Sequence, residues 1–243
     1  MTLRFPALLA FLAAGIALHA ETAAPTPAAP AETTTAAPKL QGRIEDDRYH
    51  APGDVFSVPV PVLHGENQVV MDNGEIVVFK DKVSTLLTIA AFPMPPIAQW
   101  EYKTTPPKDY LITFFRDNIL RDYRGEFPES SIESARFLPD VSGGAMVAFT
   151  LLPGGSAFAS TEPRPPTAPP AVAKRGHLVF VHDNRVIVIA VELAERITKE
   201  ANYTLTTPEE DRILFDRLAT VFTALRFGPD AQPAVEDDDE DED

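Results

Sequence analysis

Residues 186–191 follow the turn dipeptide Asp183-Asn184 and are apolar at every position. A strand with one wet face alternates apolar and polar side chains, so a run with no polar face has to be covered on both sides. Residues 178–181 are equally β-prone, and the two runs flank Asp183-Asn184 as the arms of a hairpin. The chain therefore has to build a sheet with one layer above it and another below.

Val69, Val70 and Met71 before Asn73-Gly74, with Ile76, Val77, Val78 and Phe79 after it, mark a second hairpin. Further strand candidates are residues 43–49, 56–60, 85–92, 132–138 and 145–152, with Ser142-Gly143-Gly144 as one of the turns. An antiparallel sheet follows. Thr105-Pro106-Pro107 opens a helix that carries Leu111, Phe114, Phe115, Ile119 and Tyr123 on one stripe and stops at Gly125. Thr207-Pro208-Glu209-Glu210 reads as a capping box with proline at the first helical position, ahead of Leu214, Leu218, Val221, Phe222 and Leu225. Residues 193–201 read as a short helix. Each long helix has one apolar stripe and covers one sheet face, so the expected class is α+β, an antiparallel sheet with helices on both faces (an α/β/α sandwich).

The ends of the chain read differently. Arg4 precedes an apolar run over residues 5–18, and the small residue Ala20 precedes Glu21, which is the layout of a cleavable signal peptide over residues 1–20. The run is too short for a membrane span and is interrupted by Pro6 and Gly15. Without cysteine there is no lipidation site, no disulfide and no thiolate chemistry. Residues 21–40 are almost all Ala, Pro, Thr and Glu, a semi-rigid linker. Residues 236–243 are all acidic, within a tail over 229–243 that reads as disordered. These eight charges are half of the net charge of -16 that remains once Arg4 is lost from the formal -15. The expected product is exported, periplasmic or extracellular, with one domain over residues 41–228. Its acidity argues against nucleic acid as a partner, and no stable membrane insertion is expected after cleavage. The tail draws cations diffusely.

Within the domain, several local patterns are similar to the PsbP-like superfamily. They are the opening Phe56-Ser57-Val58-Pro59-Val60-Pro61, the strand pair around Val77-Val78-Phe79 and residues 86–92, and the helix over 107–124. To these are added the hairpin over 176–193 and the closing segment 218–227, with residues 153–173 as an additional Pro-rich loop. The resemblance implies an antiparallel sheet between helical layers and a non-catalytic accessory or binding role, and identifies no partner; for an exported chain without a catalytic set, another envelope protein is the expected partner.

Chemistry finds little support in the sequence. The strongest catalytic pattern is Ser156 in Leu152-Pro153-Gly154-Gly155-Ser156, which the ladder of 145–152 with 177–181 would bring close to His177. That makes a secreted hydrolase using Ser156 and His177 the alternative reading, although Asp183 is too far along the strand to complete a triad and Phe158 replaces the second glycine of a nucleophile elbow. A soluble carrier of an apolar ligand is the other, and it needs an enclosed apolar pocket of about 300 Å³ or more. No metal or cofactor is expected: His177 and His182 point to opposite faces of a strand, and Asp46 with His50 reads as a solvated strand face. The candidate partner-binding residues are Met94, Ile97 and Trp100, in a rigid apolar loop that holds the only tryptophan. Large apolar loop residues more often fold back on the core, and this is the expectation for Ile97 and Trp100.

Neither end has apolar periodicity, so both are expected to be dispensable for folding. Thermal melts of the mature chain with and without residues 21–38 and 231–243 check this. Trimming should be neutral or slightly stabilising at low salt, with the difference fading once the Debye length falls to about 8 Å.

Overall fold

The computed structural model describes residues 40–63, 68–158, 170–199 and 202–228. The expected leader, the tail, nearly all of the linker and His64 lie outside them.

The chain opens with β1 (Arg43–Glu45), β2 (Arg48–His50) and β3 (Phe56–Pro59), then runs a meander through β4 (Val69–Asp72), β5 (Ile76–Lys80) and β6 (Leu86–Pro93). A helical passage follows: α1 (Pro96–Thr104), α2 (Pro107–Phe114), a π-helical turn over Phe115–Leu120, and α3 (Arg121–Glu126). A second meander comprises β7 (Ser131–Leu138), β8 (Ala145–Pro153), β9 (Val172–His182) and β10 (Arg185–Glu192). The short α4 (Glu195–Thr198), the long α5 (Thr207–Ala224) and β11 (Arg226–Phe227) close the fold.

Two meanders joined by a helical passage give a seven-stranded antiparallel sheet of order β4-β5-β6-β10-β9-β8-β7. The opening strands do not join it. They make a separate sheet of order β1-β2-β3-β11, so the single sheet expected from the sequence is in fact two. The expected strand over residues 43–49 is broken by Asp46 and Asp47, which take left-handed φ values of 48° and 57° and turn the chain into a hairpin. Asp46 thus sits in a turn and shares no strand face with His50.

Both faces of the large sheet are covered, as the apolar run in β10 requires. On one face Ile76, Val78, Ala90, Val179, Val186 and Val188 pack against Leu111, Phe114, Phe115, Ile119 and Tyr123 of the helical passage. On the other, Val77, Phe79, Ile89, Val147, Phe180, Ile187 and Ile189 meet Leu214, Leu218 and Leu225 together with Tyr49, Phe56 and Val58 of the small sheet. The structure is an α+β sandwich whose second cover is part helix and part sheet.

Three local differences from the sequence reading have physical causes. Asp183 and Asn184, at φ 46° and 54°, form the expected two-residue turn between His182 and Arg185, but β9 begins six residues earlier than its apolar run suggests because it includes Lys174 and Arg175. The segment after Phe92 is a helix and not a loop: Pro96 occupies its first turn, where the missing N–H costs nothing. The cap of α5 is Thr206, whose N–H donates to Glu209 Oε2 at 2.8 Å, so the capping box lies one residue before the one read from the sequence.

Gly176 lets α5 approach β9. A Cβ there would stand 3.1 Å from Leu214 Cβ and 3.2 Å from Leu218 Cδ1. Gly176→Val should overpack this contact and cost about 1–3 kcal/mol. A lower midpoint in urea at an unchanged slope would be the signature.

Candidate functional site

Of the three candidate partner-binding residues, the structure separates one from the other two. Met94 is buried, whereas Ile97 and Trp100 are 56% and 61% exposed. They do not fold back on the core, contrary to expectation. Three residues apart on α1, they stand on one face of the helix. The helix itself is braced. The Met94 N–H donates to the Asn184 carbonyl at 2.8 Å, which ties the entrance of α1 to the β9–β10 turn. Gln99 Nε2 donates to the Met94 carbonyl at 2.8 Å, Ala98 is buried, and Tyr102 meets Tyr110 of α2 edge to face at 5.2 Å. The result is a small apolar surface on a rigid support.

Ser156 and His177 are not brought together as a nucleophile and its base. The β8–β9 ladder runs on to Pro153 opposite Val172, and His177 lies opposite Ala148. The end of the ladder is therefore five residues from His177, about 17 Å along the strand. Ser156 Oγ instead donates to Glu192 Oε1 at 2.6 Å, and the Ala157 N–H reaches the same carboxylate at 3.2 Å. Arg175 holds Glu192 from the neighbouring strand through Nε and Nη2, both at 3.0 Å, and Nη2 also donates to the Gly155 carbonyl at 2.9 Å. Burial works against the Arg175 charge, but Glu192 outweighs it and holds the guanidinium above its ordinary pKa. This buried pair anchors the start of the loop after β8.

His177 lies on the same face, in the next row of the sheet. Its ring contacts Phe115 and Tyr123 at 5.2 and 5.7 Å, and Nε2 pairs with Thr150 Oγ1 at 3.1 Å. Burial, reinforced by Arg175, lowers its pKa to about 3. It is a neutral core histidine with no serine within its hydrogen bonds.

On the opposite face a second buried charge, Lys174, is held by Glu133, by Asp211 at 2.6 Å and by Glu210 at 3.0 Å. Burial opposes the ammonium, yet the three carboxylates raise its pKa. Glu210 in turn accepts from Arg196 at 2.7 Å and from the Tyr203 hydroxyl at 2.6 Å. Two open clefts, each about 520 Å³, flank the first turn of α5 above this cluster. One is lined by Val172, Arg196, Tyr203 and Glu210, the other by Arg136, Phe149, Arg212 and Phe215. Neither is the enclosed apolar chamber that a carrier would need. The sequence reading missed the charges in both clusters; the available signal was Lys174 and Arg175 standing immediately before an apolar strand, with Glu192 at the end of its partner.

No protein-family model matches the chain, and no curated protein matches it. Among solved structures it is similar to the cyanobacterial PsbP of Synechocystis sp. PCC 6803, at 13% identity and a TM-score of 0.45, over 74% of this chain and 91% of that one. The chain is also similar to the Ran-binding protein Mog1p of Saccharomyces cerevisiae, at 8% identity and a TM-score of 0.45, over 78% of this chain and 96% of that one. No helix among the described residues is long and apolar enough to cross a membrane.

The buried histidine makes stability depend on pH. Between about pH 3 and the ordinary histidine value of 6.5 the unfolded chain binds a proton that the folded chain does not. The stability from neutral His177 is complete above about pH 6.5 and is lost as the pH falls, by at most about 1.4 kcal/mol per pH unit. His177→Phe keeps a ring in this contact and should flatten the fall in urea-unfolding free energy between about pH 7 and about pH 5. An identical fall in the variant would show that His177 is not held neutral.

Proposed function

We propose that this chain is an exported, non-catalytic accessory protein of the cell envelope that binds another protein through the Ile97–Trp100 face of α1. The carrying observation is the exposure of the only tryptophan beside an isoleucine, on a helix already fixed at both ends. Large apolar side chains on a rigid support lose little conformational freedom when covered, and tryptophan is the residue type most enriched among interface hot spots. The non-catalytic part of the reading rests on the ionisable groups of the core. Glu192, Arg175, Lys174 and Glu210 are each held by partners within the fold, and His177, the one buried histidine among the described residues, pairs with a threonine. Export rests on the leader read from the sequence.

A photo-crosslinking side chain introduced at Ile97, in the full chain expressed in its native cells, should give one discrete protein adduct. The same group at Lys108, exposed on the neighbouring helix, should not. Trp100→Ala should abolish the adduct while changing folding stability by no more than about 0.5 kcal/mol, as expected of an exposed side chain. Equal adducts from both positions, or an intact leader on the crosslinked chain, would overturn the proposal.

A further inference from the structure

The two edges of the large sheet are unlike each other. At one edge β4 is only four residues long, and the Gln41 and Gly42 N–H groups donate to the Asp72 carboxylate at 2.6 and 2.7 Å, so a preceding segment lies against it. At the other, β7 has eight residues, is exposed over residues 132–136, and pairs with β8 alone among the described residues. An edge strand of that length presents a row of backbone donors and acceptors ready for a further strand. A bulge between Ile132 and Ser134 turns Glu133 inward to Lys174 and leaves residues 134–138 in regular register.

Those residues also form a wall of the second open cleft. Ser134, Ala135 and Arg136 line it from β7, and Phe149, Phe215, Asp211 and Arg212 line it from the sheet and from α5. The charges in it are unequally matched. Asp211 is held by Lys174 at 2.6 Å and by Ser134 Oγ at 3.2 Å. The Arg136 guanidinium lies over the Phe215 ring at 4.0 Å, and neither Arg136 nor Arg212 forms a close salt bridge among the described residues, although Glu209 feels the Arg212 charge. The cleft therefore offers Arg136 without an acidic partner among the described residues, and Arg212 facing only the Glu209 carboxylate one turn back on α5, over an aromatic floor and beside an open strand edge. A second copy of the chain fits poorly. Antiparallel self-pairing centred on Arg136, the register that pairs all of residues 134–138, would set the two Arg136 side chains directly opposite each other, a like-charge contact.

We propose that the β7 edge and its cleft bind an extended acidic segment of a partner protein, which adds as an eighth strand and directs a carboxylate to Arg136 and Arg212. Backbone hydrogen bonds to the edge supply affinity, and the arginine pair selects the charge. The domain's own net negative charge opposes approach at long range but is screened beyond about 8 Å at physiological salt, whereas the pairing acts at contact. This surface is separate from the Ile97–Trp100 face, so its failure leaves the crosslinking outcome untouched.

The probe is a fluorescein-labelled peptide of eight residues alternating valine and glutamate, with a valine–lysine peptide as its counterpart. Anisotropy with the mature protein should show the glutamate peptide binding at least about tenfold more tightly than the lysine peptide. The largest amide shifts should fall on residues 131–138. Arg136→Glu and Arg212→Glu should each weaken binding about tenfold, and Lys108→Glu, which changes the charge equally on another face, should not. Arg212 is exposed, so its variant keeps the test valid if Arg136→Glu fails to fold. The same peptide methylated on alternate backbone nitrogens keeps its charge but cannot complete a ladder, and should not bind. Dissociation constants above about 1 mM, equal binding of both peptides, full binding by the methylated peptide, or shifts confined to other surfaces would overturn the proposal.

Discussion

Two-sided burial of β9 and β10 is the constraint on which the rest of the structure depends. A strand in the middle of a covered sheet has no wet face, so each polar side chain on it has to be satisfied inside the protein. β9 nevertheless carries Lys174, Arg175 and His177, all fully buried. Adjacent residues point to opposite faces, so Lys174 is delivered to the α5 side and Arg175 to the side of the helical passage. Neighbouring elements supply acceptors for both cations, Glu192 and the Gly155 carbonyl for Arg175 and Glu133, Glu210 and Asp211 for Lys174, while Arg175 Nη1 and His177 Nδ1 have no hydrogen-bond partner among the described residues. A register slip of one residue would exchange the two cations between faces and strand both sets of carboxylates. Such pairs contribute little net stability once desolvation is counted, but losing one partner costs about 3–5 kcal/mol. Their effect is to exclude other registers, while the apolar side chains around them supply the stability.

The same pairing limits what these groups can do chemically. A serine able to attack needs a free base, and a base needs a pKa near the working pH. Ser156 is instead one of the groups that complete the Glu192 carboxylate, and His177 is held neutral far below neutral pH. The apparent catalytic pair in the sequence consists of two residues serving two different rows of one structural network.

What could be read from the sequence follows the range of the interactions involved. The hairpin at Asp183-Asn184, the helix stripe from Leu111 to Tyr123 and the double cover of β10 were legible because each is set by neighbours a few residues apart. The length of β9 was not, since Lys174 and Arg175 belong to a strand only because Glu192 and Glu210 lie across from them, 17 and 36 residues away in the chain. The division into two sheets was hidden in Asp46 and Asp47, which look like polar strand positions until their left-handed turn is seen. In the candidate surface, the three residues were legible as a group. Their separation was not, because it depends on α1 starting at Pro96 and turning Met94 inward while Ile97 and Trp100 face out.

That separation follows from the same cause as the closed core. The helical passage is fixed by its stripe against the sheet, and the β9–β10 turn is fixed by the sheet's own ladder. Suspended between them by the Met94–Asn184 hydrogen bond and the Tyr102–Tyr110 contact, α1 does not need Ile97 or Trp100 for its position. An exposed tryptophan on a helix that needed it for packing would be a defect. On a helix anchored by other residues, the 61% of its surface that stays exposed is left for whatever covers it. The opposite edge of the sheet follows the same rule in polar form: the sheet is complete without a strand beyond β7, and Arg136 lies over Phe215 of α5 without an acidic partner among the described residues. Neither surface lies in the buried core, and a feature outside the core that is costly to leave exposed or unpaired is where binding has most to gain.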